Sequence, residues 1–195
     1  RQLSIAIKNI ERLVEIIENM LSVSRLHSGI EKFDFNIYDL RTIVKEACEI
    51  GKKYCAEKNI ELKLCMTDQI LIVKVDKLKI FQSLKNIIDN SIKFTEKKGK
   101  INVSASLSEK EGFAEIAVED TGIGIKEKDL DKIFDNFFQG DSSTKKKYGG
   151  SGIGLNICKE IIKQHNGTIS ASSIFGQGTK IIITLPLNKY VLNYH

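Results

Sequence analysis

Leu3, Ala6, Ile10, Leu13, Ile17 and Met20 recur at alternating spacings of three and four, with Ile7, Val14 and Leu21 widening the stripe. That period predicts one long amphipathic helix over residues 3–26. A lone helix cannot bury such a stripe on itself, so the pattern calls for partner helices, most simply the same segment of a second copy. His27-Ser28-Gly29 ends the helix. A short strand is expected over residues 33–37, after which Asp39 opens a helix running to about residue 57. Strands at 60–65 and 70–75 precede Asp76, a natural N-cap for a helix reaching residue 95. Strands at 100–107 and 113–119 come next. Between residues 120 and 154 the patterning lapses, apart from a short helix near 130–134, and glycines and lysines accumulate. An unpatterned stretch of that length inside a compact domain reads as a functional loop. A helix over 152–165 and strands at 168–174 and 180–185 complete the chain. The mixed order argues for an α+β fold: a two-layer sandwich whose mixed sheet is covered on one face by helices, preceded by the long N-terminal helix.

Composition narrows the reading. A chain of 195 residues, 42% hydrophobic and 28% charged, suffices for one well-buried domain and a smaller appendage. No apolar run reaches the roughly 18 residues that span a bilayer, and Arg1-Gln2-Leu3-Ser4 does not open a secretory signal. The expectation is a soluble, cytoplasmic chain, attached to a membrane only through segments outside it. The net charge of +5, from 30 basic and 25 acidic residues spread along the chain, does not imply nucleic acid. Lys145-Lys146-Lys147 is either a solvated loop or, beside a glycine cluster, a phosphate contact. Cys48, Cys55, Cys65 and Cys158 show neither metal-ligand nor disulfide spacing; Cys48 and Cys55 share one helix face as small buried hydrophobes.

Three constellations carry chemistry. In Asn86-Ile87-Ile88-Asp89-Asn90-Ser91-Ile92-Lys93-Phe94, two amides and an ammonium at i, i+4 and i+7 point the same way, opposite a core face of Leu84, Ile87, Ile88 and Ile92. Mg²⁺ accepts amide oxygen, keeps waters and takes its other ligands from phosphates, so one or two such side chains suffice. A solvated polar face is the plainer alternative, although two asparagines within a helix run against propensity. In Asp120-Thr121-Gly122-Ile123-Gly124-Ile125, paired glycines follow a strand and let backbone approach a flat ligand. The aspartate can accept from an exocyclic amine such as that of adenine; a simple Asp-Thr-Gly turn is the rival. Gly149-Gly150-Ser151-Gly152-Ile153-Gly154-Leu155 runs into a helix whose N-terminal amides make an anion site. It matches neither phosphate-loop signature, since no G-x-x-x-x-G-K-[ST] is present and Ile157 stands where G-x-G-x-x-G needs its third glycine.

In this order the motifs resemble the sensor histidine kinase family, within the superfamily of gyrase-, Hsp90- and MutL-type ATPases. Residues 86–95 look like its N box, 120–125 its first glycine box, 133–138 its F box and 150–155 its second glycine box. The resemblance implies an enzyme that binds ATP and Mg²⁺ and moves the γ-phosphoryl group to a histidine, for relay to an aspartate of a response-regulator receiver domain. It implies Asn90 as the metal ligand with help from Asn86, Lys93 on phosphate, Phe94 beside the adenine and Asp120 on its amine. Gly122, Gly124, Ile125, Lys145, Gly150, Gly152, Gly154 and Leu155 would line the nucleotide, and Thr179 would support the adenine from behind. Residues 136–149 would form a lid. Hydrolysing relatives carry an acid at the position of Asn86; an amide cannot take a proton from water, which favours transfer over hydrolysis.

The chain also departs from the family pattern. Gln139 stands where many members place an arginine, a role either passed to Lys145, Lys146 or Lys147 or weakened. The family's phospho-accepting histidine, followed by an acid, is missing: residues 1–29 resemble only the second helix of the dimerisation hairpin, and residues 30–195 the catalytic domain. His27 is then structural or incidental, and His165 part of a helix C-cap. A degenerate nucleotide-binding module and an anti-sigma-type serine kinase are the alternatives, and a homodimer through the first helix is expected.

Overall fold

The computed structural model describes residues 2–136, 138–139 and 152–188. Helix α1 (Gln2–His27) leads to strand β1 (Asn36–Asp39), helix α2 (Leu40–Lys58), and strands β2 (Glu61–Met66) and β3 (Ile72–Val75). Helix α3 (Lys77–Phe94), strands β4 (Lys100–Leu107) and β5 (Phe113–Asp120) and the single-turn helix α4 (Glu127–Leu130) follow. Helix α5 (Gly154–Gln164) and strands β6 (Thr168–Ile174) and β7 (Gly178–Pro186) close the domain.

The expected mixed sheet is present, with order β2-β4-β5-β7-β6; β2 and β4 run parallel and every other pair antiparallel. Two of the strands leave it. β1 and β3 pair in a separate antiparallel ribbon, tied to the end of β7 by a bridge between Val73 and Leu187. One face of the five-stranded sheet alternates buried residues such as Ile101, Val103, Ile116, Val118, Ile181 and Ile183. These meet Ile80, Leu84, Ile87 and Ile88 of α3 and Ile157 and Ile161 of α5, all at most 1% exposed. Each such side chain stabilises the fold by roughly 1.5–3 kcal/mol. α2 and α3 pack so closely that a Cβ on Gly51 would lie 2.8 Å from Ile88 Cγ2.

Three boundaries differ from the periodicity. Residues 33–35 form no strand, because Phe33 and Phe35 turn their rings onto His165 and the Asp34 amide donates to Asp76. The short helix falls at Glu127–Leu130, ahead of its expected place, and turns carry the chain through Ile133 and Phe134 into the core. α5 starts at Gly154 instead of residue 152, since Gly152 has a φ of +72°, outside the helical region.

Among the described side chains of α1, Leu26 is buried and Val23 packs on the core, whereas Ile7, Ile10, Leu13, Val14, Ile17, Met20 and Leu21 are exposed. No helix among the described residues is long and apolar enough to cross a membrane.

Candidate active site

The register of the sheet sets the site. Asp120 ends the central strand β5, opposite Ile101 of β4 on one side and Thr179 of β7 on the other. It is only 7% exposed. Ser91 Oγ donates to its Oδ2 at 3.0 Å and the Gly122 amide to its Oδ1 at 2.9 Å. Burial pushes the carboxyl above its ordinary value, while the Gly122, Ser91 and Thr179 donors pull it back. A carboxylate offers about four lone-pair directions, so the Ser91 and Gly122 bonds leave acceptor capacity for a further N–H.

The loop after Asp120 is pressed against neighbouring backbone. A Cβ on Gly122 would stand 2.7 Å from both Asp120 Oδ1 and the Phe94 carbonyl. At Gly124, with φ +65°, it would stand 2.2 Å from the Ile174 carbonyl. The Ile123 amide donates to Phe94 O at 3.2 Å, and Ile125 N to Ser173 Oγ at 2.8 Å. Ser173 Oγ in turn donates to Gly178 O at 2.6 Å and lies 3.0 Å from Thr179 Oγ1. Loop, α3 terminus and β6–β7 turn therefore form one connected frame.

Along α3, Asn86, Asn90, Lys93 and Phe94 are half-buried, facing away from the core side. Lys93 Nζ lies 4.9 Å from the Phe94 ring centroid, placing an ammonium and an aromatic face together. The Asn86 amide nitrogen would be 3.8 Å from a Cβ on Gly154, so α3 meets the first turn of α5 here. Below it, burial drives the Cys158 thiol up to about 12 against opposing contacts from Asn86 and Ser83, leaving it an inert packing group. α5 begins with no side-chain cap and no acid in its first turn. The first amides of a helix and its positive dipole end suit an anion. Leu155 packs on the core beside them, and Asn156 Nδ2 donates to Phe134 O at 2.9 Å, tying this helix to residues 133–138.

The donor set fits Mg²⁺ of the kind that relies on a nucleotide. No group of three or more His, Cys, Asp or Glu residues among the described ones could hold a metal. With the Asn86 nitrogen turned toward α5, the amide oxygens of Asn86 and Asn90 are the hard donors, and phosphate and water would supply the rest. Lys145 and Gly150 lie outside the described residues, as does most of 136–149.

The structure thus brings Asp120, Gly122, Gly124, Ile125, Phe94, Lys93 and Thr179 to one end of the sheet and Asn86, Asn90, Gly152, Gly154 and Leu155 to the junction of α3 and α5. Sequence reasoning missed Ser91. Its signal was a hydroxyl at a core position of α3, four residues after Ile87, which needs a partner once buried.

Residues 75–189 match the family described as "Histidine kinase-, DNA gyrase B-, and HSP90-like ATPase", and the chain belongs to it. The chain is 36% identical over 179 residues to the sensor histidine kinase WalK of Bacillus subtilis, covering 90% of this chain and 29% of that protein. It is 37% identical over 180 residues to the autoinducer 2 sensor kinase/phosphatase LuxQ of Vibrio cholerae, covering 91% and 21%. Among solved structures, the catalytic domain of histidine kinase ThkA superposes with a TM-score of 0.68 at 26% identity, over 80% of this chain and 97% of that one. ThkA in complex with the response regulator protein TrrA gives 0.76 at 24%, over 96% and 51%. The chain spans less than a third of the length of these curated relatives. What it carries is the ATP-binding catalytic domain of the sensor histidine kinase type.

Proposed function

We propose that this domain binds ATP with Mg²⁺ and presents the γ-phosphoryl group to a histidine on a separate helix, from which it passes to a receiver-domain aspartate. The observation that carries the reading is Asp120: a buried carboxylate at the end of the central strand, held by the Ser91 hydroxyl and the Gly122 amide next to the end of α3 that bears Phe94. It would accept from the adenine amine, with Phe94 alongside the ring. Asn86 and Asn90 would hold the metal, which supplies charge neutralisation at the phosphates. Lys93 and the α5 amides would add positive potential there, and Lys145 and Gly150 would close on the phosphates from the lid.

Transfer needs in-line positioning and charge stabilisation more than covalent chemistry by the protein. An imidazole nitrogen attacks the γ-phosphorus, and the bond to the bridging oxygen breaks with its electron pair leaving on ADP. Because Asn86 is an amide, no base stands at that position to activate water, and bound ATP waits for its acceptor. The exposed stripe of α1 supports residues 1–29 as the second helix of a dimerisation hairpin, with 30–195 as the catalytic domain. ThkA, solved with a response regulator, supports a receiver domain as the partner.

Incubation with γ-labelled ATP tests this. The chain alone should bind nucleotide without labelling itself, and adding a helix with a histidine-acid pair should yield acid-labile, base-stable label, abolished by Asn90→Ala. Label on His27 of the chain alone would contradict its structural assignment, and no label with the added helix would favour a degenerate binding module.

A further inference from the structure

Lys58 lies outside every motif of the site, yet its ammonium is inserted into the end of the helix that carries the N box. α2 stops at Asn59, whose left-handed φ of 55° turns the chain so that the preceding Lys58 faces the end of α3. Lys58 Nζ donates to Ile92 O at 2.6 Å, to Lys93 O at 3.0 Å and to Thr95 O at 3.0 Å. The last carbonyls of a helix have no partner within it and carry the negative end of its dipole. Here the accounting closes: Ser91 O accepts from the Thr95 amide, Phe94 O from the Ile123 amide, and the remaining three from Lys58.

We infer that Lys58 is a positioning residue for nucleotide binding, acting through Lys93 and Phe94. This rests on the reading that those two residues contact the nucleotide. Two of the three carbonyls it holds belong to Lys93 and its predecessor, and the third to Thr95, so the clamp brackets Phe94 on both sides. Phe94 O is itself held by Ile123, the single residue between the two glycines of the loop after Asp120. Lys58 therefore fixes the peptide planes that aim the ring and the Lys93 side chain, and keeps them in register with Asp120. Lysine suits the task because a compact ammonium has three donors that diverge, one for each carbonyl; the planar guanidinium of arginine cannot meet all three. A helix-capping role alone would affect stability and leave affinity untouched.

The test uses the full chain, titrating ADP by calorimetry with and without Mg²⁺ and following melting separately. Lys58→Met should weaken ADP about tenfold, with Lys58→Arg in between. In a Phe94→Ala background, Lys58→Met should add less than about threefold, because both act on one contact. A folded Lys58→Met with a lowered melting temperature but parental ADP affinity overturns the inference and leaves the site reading intact. Phe94→Ala binding ADP as tightly as the parent overturns the site reading and this role with it. Should Lys58→Met fail to fold, Lys58→Arg must bind ADP more tightly than Lys58→Gln; equal affinities overturn the inference.

Discussion

The two ends of α3 are built from similar parts toward opposite ends. At its N-terminus Asp76 is 7% exposed; its Oδ1 caps the helix by accepting from the Lys79 amide, and its Oδ2 accepts from Asp34 N. The Asp76 amide donates to Nε2 of His165 at 2.9 Å, and Nδ1 of that ring faces Ile161 O at 2.7 Å. An Nε2 that accepts leaves the proton on Nδ1, so the ring is neutral with both nitrogens engaged. Phe33 and Phe35 cover it. At the C-terminus Asp120 is equally buried, but it stands at a strand end, where the Ser91 hydroxyl and the Gly122 amide hold it beside the glycine loop and the last residues of α3. The first network fastens the fold, whereas the carboxylate of the second is the one proposed to take a ligand.

The comparison breaks first on affinity. Asp120→Asn should raise the dissociation constant of ADP about 10- to 100-fold, since a hydrogen bond to a charged acceptor contributes roughly 1.5–3 kcal/mol. Its melting temperature should hold or rise, because a buried charge is removed. At the other end, His165→Phe should destabilise the fold by about 1–3 kcal/mol by orphaning the Asp76 amide, with ADP affinity within about twofold of the parent at saturating folded protein. A large loss of affinity there would erase the distinction.

The pH responses sharpen it further. Burial holds the His165 pKa below its ordinary 6.5, opposed by the Ile161 carbonyl and Asp76. The unfolded chain then binds the proton more readily, so this residue's contribution is present above about pH 6.5 and is lost as pH falls toward the lowered folded value. Urea titrations from pH 7.5 downward should show that decline, and His165→Phe should remove it. Asp120 has the opposite sign: its raised folded pKa makes the native state favour the proton, so its ionisation costs stability as pH rises through that range. Its ADP affinity should instead fall on acidification, beginning above the ordinary carboxylate range, in calorimetry that Asp120→Asn flattens. Asp76→Ala removes both the Lys79 cap and the bond from the Asp34 amide and should cost about 1–3 kcal/mol in the same urea titrations, with nucleotide binding unchanged.

Most of the frame was legible because it rests on local signals. The stripe of α1, the Asp39 and Asp76 caps and the alternation of β4 and β5 are each written in consecutive residues. Asp120 and its glycines were readable for the same reason: a strand end and its following turn are one local unit. Contacts across the chain were not. Lys58 meets residues 92–95 only after α2 and α3 pack, and His165 meets Asp76 across 89 residues of sequence, once α3 and α5 lie side by side. The separate β1–β3 ribbon escaped for a related reason, since periodicity gives a strand's face but not its partner.

Calorimetric titration of the unmodified chain with ATP and with GTP, each with Mg²⁺, tests the central claim most directly. Guanine places a carbonyl where adenine has its amine, and a buried carboxylate facing that oxygen gains no hydrogen bond and meets a like partial charge. The account predicts at least tenfold tighter binding of ATP. Equal affinities for the two nucleotides would contradict it, and Asp120 would then have to be a structural carboxylate like Asp76.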